Sequence, residues 1–210
     1  MTSRPRPVRT RKQPGERRAE ILRTAAVIAL EEGLERVTLR RVADELGVRP
    51  GLIGHYFPAA DRLVSEAFSH AATEERGSLL PPAERGLAAD VRLARFLVRL
   101  TDGAHRDLSR LWLDARHASR FRPGLREAVR AEESATRDAL AELIEEGRSA
   151  GIFATGDALG AALHVLVTVD GLGVYANDDA PLDHPVLEGM AIATAERLLG
   201  LAPASLRDRA

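Results

Sequence analysis

The feature that most constrains this chain is the segment 38–57, TLRRVADELGVRPGLIGHYF, which predicts two short helices joined by a tight turn. The apolar residues of the first helix follow the i, i+3, i+4, i+7 spacing of one buried helical face: Leu39, Val42, Ala43 and Leu46. Gly47 can adopt the positive φ that ends a helix. Pro50 suits the first turn of the next helix, where its missing N–H has no intrahelical partner to lose.

The second predicted helix has an apolar anchor of its own, formed by Leu52, Ile53, Tyr56 and Phe57. Two short helices joined by a glycine turn form a helix-turn-helix, whose second helix can enter the major groove of DNA. The same spacing also fits an ordinary helical hairpin in a bundle. The flanking segments therefore have to decide between these two interpretations.

Further helices are predicted on both sides of the hairpin. The preceding helix is closed by Gly33 and buries one face: Ile21, Leu22, Ala25, Ile28 and Ala29. On the other side, Asp61 can cap a helix with a second apolar face: Leu63, Val64, Ala67 and Phe68. Four short helices of this kind fit a three-helix DNA-binding unit followed by a connecting helix.

The run from Arg17 to Phe68 resembles the DNA-binding half of the tetracycline-repressor (TetR) family of bacterial regulators. The matching residues are Ile21, Ala25, Gly33, Thr38, Ala43, Gly47, Val48, Gly51, Ile53, Tyr56, Phe57 and Leu63. The resemblance implies a DNA-binding transcriptional regulator, by default a repressor that a small-molecule effector releases from its operator. It also implies a homodimer formed through the last two helices, with double-stranded DNA carrying a palindromic operator as its partner.

The length of 210 residues and the hydrophobic content of 45% allow one small domain and one larger domain. We predict an all-α chain in which a three-helix helix-turn-helix domain joins a larger helical domain for ligand binding and dimerisation. The predicted divisions are a disordered basic arm at 1–15, the helix-turn-helix domain at 16–60, the effector-binding and dimerisation domain at 61–202, and a tail at 203–210.

Charge is distributed unevenly along the chain. Residues 1–57 hold 12 Arg and Lys against 7 Asp and Glu, whereas the remainder holds 18 against 24. A basic head on an acidic body is typical of a protein that touches phosphate with one end only. The arm contributes Arg4, Arg6, Arg9, Arg11 and Lys12, and it either contacts DNA or serves only as a solubilising tail.

Composition argues against several other functions. The chain has no cysteine, which excludes disulfides, thiolate catalysis and cysteine-based zinc sites. Gly171 and Gly173 lack the third glycine of a phosphate-cradling loop, the histidines show no paired metal spacing, and no serine lies on a nucleophile elbow. We therefore predict no catalytic residue, no metal, no cofactor and no enzymatic activity.

Two observations bear on the compartment. The Arg- and Pro-rich start lacks the apolar core of a secretory signal. No uninterrupted apolar run reaches the ~18 residues of a membrane span. The sequence therefore predicts a cytoplasmic protein without a membrane partner.

The predicted DNA-contacting residues lie on the two helices of the hairpin. Thr38 should cap the first helix beside a phosphate, and Arg49 is the best candidate to pair with a guanine edge. Leu52 can offer only apolar contact, for instance to a thymine methyl group. The full predicted set is Thr38, Arg40, Arg41, Arg49, Pro50, Gly51, Leu52, His55, Tyr56 and Arg62.

The segment departs from the family pattern at three positions. Arg49 stands where relatives usually have a helix-capping serine. Gly54 stands where tyrosine is frequent, and it resembles the small residue of the betaine-regulator (BetI) subgroup at this position. Ala60 replaces a usual phosphate-contacting lysine, for which Arg62 is the candidate substitute. These departures leave open an alternative, a helical dimeric module that senses a ligand or binds a protein but no longer reads DNA.

The second half of the chain predicts helix after helix and no strand. One helix runs from about 123 to 150, the next from about 155 to 177, and the last from about 184 to 199. The order of the segments 111–116, 122–150 and 169–172 is similar to the BetI-type effector domain. The connecting helix around 61–75 would then link effector binding to the spacing of the DNA-binding helices.

Polar and aromatic residues on the apolar helical stripes predict the ligand site. A buried carboxylate such as Glu132 or Asp170 either forms a structural ion pair, with Arg116 or Arg99, or binds a cationic ligand beside aromatic rings. A larger apolar ligand in a helical cavity is a further alternative. The predicted ligand-binding residues are Phe96, Trp112, Arg116, Glu132, Thr136, His164, Asp170 and Tyr175.

Overall fold

The computed structural model describes residues 13–101, 106–180, 184–187 and 189–209, with the side chain of Arg106 left out. Within these ranges the chain is all-α, as predicted, and contains no strand. The helices are α1 Pro14–Glu32, α2 Leu39–Glu45, α3 Pro50–Tyr56, α4 Ala60–Leu79, α5 Ala89–Thr101, α6 Arg106–Ser119, α7 Pro123–Ser149, α8 Ala158–Ala176 and α9 Met190–Leu198. The basic residues of the predicted arm lie outside the described ranges.

The local signals of the helix-turn-helix are confirmed. The Thr38 hydroxyl accepts a hydrogen bond from the backbone N–H of Arg41 at 3.0 Å and so caps α2. Gly33 and Gly47 have φ of 101° and 59°, values that side chains disfavour. The turn after α2 is closed by the Val48 N–H, which donates to the Ala43 carbonyl at 2.9 Å. The sequence of this segment therefore predicts both helices and the turn between them.

Two helix starts differ from the prediction. The N-cap of α4 is Ala59, so Asp61 lies within the first turn, where its charge favours the helix dipole without capping the helix. The last helix begins at Met190 rather than near 184, because a 3-10 turn at Pro185–Leu187 and Gly189, with a left-handed φ of 68°, precede it.

The buried side chains form two clusters that meet along α4. The first joins α1 to α4 with Leu111 and Ala115 of α6 and with Leu125 and Val129 of α7. The second joins α5, α7, α8 and α9 around the fully buried Phe96. Helix α4 packs against both α1 and α7, so the first cluster extends across the predicted boundary at residue 60.

The predicted C-terminal tail is folded onto the body over its described residues. Glu196, which is 5% exposed, accepts hydrogen bonds from the backbone N–H groups of Ala204 at 3.0 Å and Leu206 at 2.9 Å. Leu206 is fully buried, and Arg209 pairs with Asp90 at 2.7 Å. The described residues of the segment predicted as a tail are therefore bound to the body by a buried carboxylate on α9.

Helix α8 is long and apolar enough, by length and composition alone, to cross a membrane, which the count of consecutive apolar residues did not predict. Only 17% of its most apolar window is buried within the chain. Its one carboxylate, Asp170, pairs with Arg116 of α6 at 2.8 Å. A large apolar surface of α8 is therefore not covered by the part of the chain that the structure describes.

Candidate DNA-reading surface and body cavity

Helix α3 packs against the core on one face and is exposed to solvent on the other. Ile53 of the helix and its C-cap residue Phe57 are fully buried, and the guanidinium of Arg18 lies 5.0 Å from the centre of the Phe57 ring. Arg49 is the N-cap residue and makes no side-chain cap hydrogen bond, in keeping with the loss of the usual serine. The exposed residues of the helix start and outer face are Arg49, Pro50, Gly51 and His55, with Leu52 half-buried beside them.

The arginines around α3 differ in how freely they can reach phosphate. Arg41 is held by Glu32 at 2.5 Å and by Glu45 at 2.8 Å, and these hydrogen bonds raise its pKa. A phosphate contact by Arg41 would therefore have to replace both carboxylates. The i, i+4 spacing of Glu45 could have indicated one of these pairs, whereas Glu32 comes from α1.

The remaining predicted cations are less constrained. Arg40 lies 3.9 Å from Asp44 and is 86% exposed, and Arg62 pairs with Glu66 at 2.8 Å on the surface of α4. Arg49 forms no ion pair with any residue that the structure describes. Arg49 is thus the cation at the start of α3 that is available without breaking an existing contact.

Tyr56 was predicted both as part of the apolar anchor of α3 and as a DNA contact; the structure shows the packing, and the DNA contact stays a prediction. It is half-buried and packs against the first core cluster, while its ring meets the exposed imidazole of His55 edge-on at 5.3 Å. The hydroxyl end of such a ring can reach phosphate while the ring supports the core.

The body contains a cavity of about 1090 Å³ between α4, α5, α6, α7, α8, the segment before α9 and the first turn of α9. Most of its wall is apolar, with side chains such as Leu79, Leu100, Leu166, Val169 and Ile192. Carboxylates and guanidinium groups from α4, α6, α7 and α8 form its polar part. A mostly apolar hollow with a few convergent polar groups is the usual form of a small-molecule site.

The structure brings five of the eight predicted ligand residues to this cavity and leaves three elsewhere. The lining includes Trp112, Arg116, Thr136, Asp170 and Tyr175.

The other three lie elsewhere for identifiable reasons. Phe96 is fully buried in the second core cluster. Glu132 points toward α4, where its carboxylate accepts a hydrogen bond from Arg76 at 2.8 Å. The next residue, Glu133, faces the cavity, because successive positions on a helix differ by about 100°. His164 is exposed and its Nδ1 lies 2.8 Å from the carbonyl of Gly160 in its own helix.

Arg116 joins three helices at the polar end of the cavity. Its Nε donates to Glu133 of α7 and its Nη2 donates to Asp170 of α8, both at 2.8 Å. Its guanidinium also lies 5.4 Å from the ring centre of Trp112. Arg116 therefore neutralises two of the cavity carboxylates, the structural role that the sequence offered as one alternative for Asp170.

Glu75 is the functional candidate that the sequence analysis missed. Its Oε2 accepts a hydrogen bond from Trp112 Nε1 at 2.7 Å. Unlike Glu133 and Asp170, it forms no ion pair with any residue in the described ranges. Burial is the largest influence on the pKa of Glu75 and raises it; the hydrogen bond from Trp112 lowers it, the charge of Asp170 raises it further, and Arg76 has the smallest, lowering effect. The available signal was its spacing from Phe68, Ala72 and Leu79, which places it on the inward face of α4.

Replacing Glu75 by glutamine is expected to make stability less dependent on pH. Because its folded-state pKa is raised, the carboxyl favours the folded state at low pH, and that contribution is lost as pH rises through the folded-state pKa. Glu75→Gln should therefore be more stable than the wild type at pH 7 and equal to it near pH 4, since the amide oxygen can still accept from Trp112. Urea unfolding at the two pH values measures this, and a less stable variant at pH 7 would contradict it.

This combination of a helix-turn-helix with a helical body enclosing a cavity defines the class of ligand-responsive DNA-binding regulators. Residues 21–67 match the family of bacterial regulatory proteins of the tetR type, and residues 89–200 match the C-terminal domain of BetI-type transcriptional repressors. The chain belongs to the TetR family of transcriptional regulators and carries a BetI-type C-terminal domain.

Individual relatives agree with this assignment. The repressor KstR2 of Mycolicibacterium smegmatis is 37% identical over 57 residues, which are 27% of this chain and 28% of that repressor. A regulator from Saccharomonospora viridis, solved in complex with choline, aligns with a TM-score of 0.66 at 23% identity over 88% of this chain and 94% of its own. A TetR regulator from Haloarcula marismortui aligns with a TM-score of 0.72 at 22% identity over 89% and 97%. The two structures share the fold.

Proposed function

We propose that the protein is a homodimeric repressor that binds a palindromic operator through α3 of each copy and leaves it when an effector fills the body cavity. The observation that carries this proposal is the position of Glu75, because α4 brings it to the cavity and also packs against α1 of the DNA-binding unit. An effector that contacts Glu75 acts directly on the helix that joins the two sites.

The proposed effector is an organic cation with a large apolar part. Glu75 supplies a carboxylate that has no ion-pair partner among the described residues, and the Trp112 ring lies next to it, a combination that suits a cationic group. The apolar wall favours a hydrophobic remainder, and a volume of about 1090 Å³ far exceeds what a small cation alone would fill. A neutral apolar effector, the alternative from the sequence, would make no use of Glu75.

We attribute release of the operator to a difference in the effector's affinity for two arrangements of the helical body. An effector that binds one arrangement better shifts the population toward it. The two recognition helices of a dimer have to match half-sites ~34–36 Å apart, so a small rotation of α4 is enough to prevent both from docking. The proposed dimer uses α8 and α9, and the proposed site of action is the cytoplasm, where the DNA is.

The cationic class can be tested with decyltrimethylammonium below its micelle concentration, using decanol as the uncharged probe of similar length. Trp112 is the single tryptophan, so its fluorescence reports on the cavity. The proposal expects the cation to change this fluorescence, to release operator DNA, and to bind about tenfold or more weakly to Glu75→Gln, as for a lost charge contact.

Glu142→Gln is the matched control, since Glu142 is an exposed carboxylate on α7 that does not line the cavity. It should bind the cation as the wild type does. Equal affinity of the cation for Glu75→Gln and the wild type would overturn the proposed effector class. Binding that leaves the operator complex intact would overturn the proposed release.

A further inference from the structure

The turn between α6 and α7 lies beside the start of α4. Arg122 Nε is 3.9 Å from Asp61 Oδ1, and a Cβ built on Gly124 would lie 3.5 Å from Ser65 Oγ. Leu125, in the first turn of α7, is fully buried in the first core cluster and fixes this arrangement. The helical body therefore reaches the end of α4 that directly follows the recognition helix.

The start of α4 is also where the DNA backbone is expected to pass. Helix α3 has seven residues and is therefore ~10.5 Å long, close to the ~12 Å width of the major groove. With its first residues at the base edges, the helix brings its C-terminal end to a phosphate strand that borders the groove. Helix α4 begins at Ala60, a short turn after Tyr56, so its first turn lies beside the same strand.

Three arginines of the α6–α7 turn differ in how far their charge is already in use. Arg126 donates hydrogen bonds to the carbonyls of Ser119 at 3.1 Å and Arg120 at 2.8 Å, and so closes the end of α6. Arg120 is exposed and forms no ion pair with any residue that the structure describes. Arg122 is the N-cap residue of α7 but makes no side-chain cap hydrogen bond, and its distance from Asp61 is too long for one. The turn thus holds the Arg122 guanidinium beside α4 without a hydrogen bond to the described chain.

Arg62, the cation already expected to contact phosphate here, is less available than Arg122. Its Nε donates to Glu66 at 2.8 Å, and Arg18 of α1 pairs with the same carboxylate. A phosphate contact by Arg62 would have to replace that hydrogen bond. Arg122 would give up only its long contact with Asp61, whose side chain is 75% exposed to screening by water and salt.

We infer that Arg122, a residue of the helical body, binds a phosphate of the DNA beside the C-terminal end of α3. This inference rests on the proposed function and adds a contact from the body to those of the helix-turn-helix. A phosphate contact carries no base identity, so its role is to position α3 on the duplex. Helix α7 also lines the effector cavity and packs against α4, so an effector that shifts α7 would break this contact without moving α3 itself.

Arg122→Ala is expected to bind the operator at least about tenfold more weakly at low salt, because each copy loses a charged contact. The slope of log affinity against log salt should fall by about 1.8, since a dimer loses two phosphate contacts worth about 0.9 each. The sequence selected from a random pool should stay the same, and Arg122→Lys should keep most of the slope. Fluorescence anisotropy across a salt series measures these changes.

Arg148→Ala is the matched control for this loss. Arg148 lies on the same helix and pairs with Glu145 at 2.5 Å, but it is ~39 Å along α7 from Arg122. Its substitution should leave both the affinity and the salt slope as in the wild type. Asp61→Asn provides a second background, in which Arg122 has no carboxylate to neutralise. The loss caused by Arg122→Ala should persist there, because the inferred partner is the phosphate.

Each contrary result is distinct. Equal salt slopes for Arg122→Ala and the wild type, or a difference that disappears in the Asp61→Asn background, would overturn the inference. If the wild type still selects an operator in either case, the proposed function stands. DNA binding without sequence selection that keeps the slope difference would support the Arg122 contact and overturn the proposed operator binding alone. A wild type that binds no DNA would overturn both.

Discussion

Arg49→Ala is expected to weaken binding to the operator by about 1–3 kcal/mol and to relax the sequence preference at one base pair of each half-site. Arg49 is exposed at the start of α3 and has no ion pair within the described chain, so it can engage a base edge without giving up another contact. The measurement is fluorescence anisotropy on an operator selected from a random-sequence pool, followed by the same selection with the variant.

The control for this loss is Arg85→Ala, because Arg85 is an exposed arginine of the body with no side-chain partner in the described chain. It should bind the selected operator as the wild type does. A uniform loss across all sequences in Arg49→Ala would instead assign Arg49 to phosphate, and unchanged binding would remove it from the interface. Arg41→Ala is the complementary case, since its pairs with Glu32 and Glu45 give it a structural role as well.

Phe57→Ala is expected to lower the free energy of unfolding by about 3–5 kcal/mol and to abolish operator binding. Phe57 is fully buried in the first core cluster, at the C-terminal end of α3, and Arg18 of α1 covers its ring. Removing the ring would leave a cavity between the recognition helix and α1. Urea unfolding followed by circular dichroism measures the loss.

The same substitution at Phe121 is the matched control, since that ring is 75% exposed in the turn after α6. Phe121→Ala should change the free energy of unfolding by no more than about 0.5 kcal/mol, as is usual for surface positions. Similar losses in the two variants would show that burial at Phe57 is not what anchors α3.

The helix-turn-helix was predictable because its signals are local. A capping hydroxyl at Thr38, a glycine in left-handed conformation at Gly47 and a proline at the first position of α3 each act within a few residues. The start of α4 was less predictable, since N-cap preferences favour Asp61, whereas the extended backbone at Ala59 makes that alanine the N-cap. Periodicity likewise placed the helices of the body to within a few residues, apart from the start of α9.

The cavity was only partly predictable because its lining depends on how helices are rotated against each other. A polar residue on an apolar stripe shows that a helix has an unusual neighbour but not which one. Glu132 and Glu133 are adjacent in sequence, yet one pairs with Arg76 of α4 and the other lies at the cavity with Arg116. Glu75 was not predicted as a ligand residue because α4 was assigned as a connecting helix. The packing of the C-terminal segment onto Glu196 was not predicted either, because it depends on hydrogen bonds between residues eight and ten positions apart.

The central claim, that the protein reads DNA by sequence, is tested most directly by binding to a selected operator and to a scrambled DNA of equal length across a salt series. The account predicts affinity for the operator at least ~10³-fold above that for scrambled DNA, with both affinities falling as salt rises. Enrichment of no sequence, with equal and weak binding to both DNAs, would contradict it and favour the helical module that senses a ligand without reading DNA.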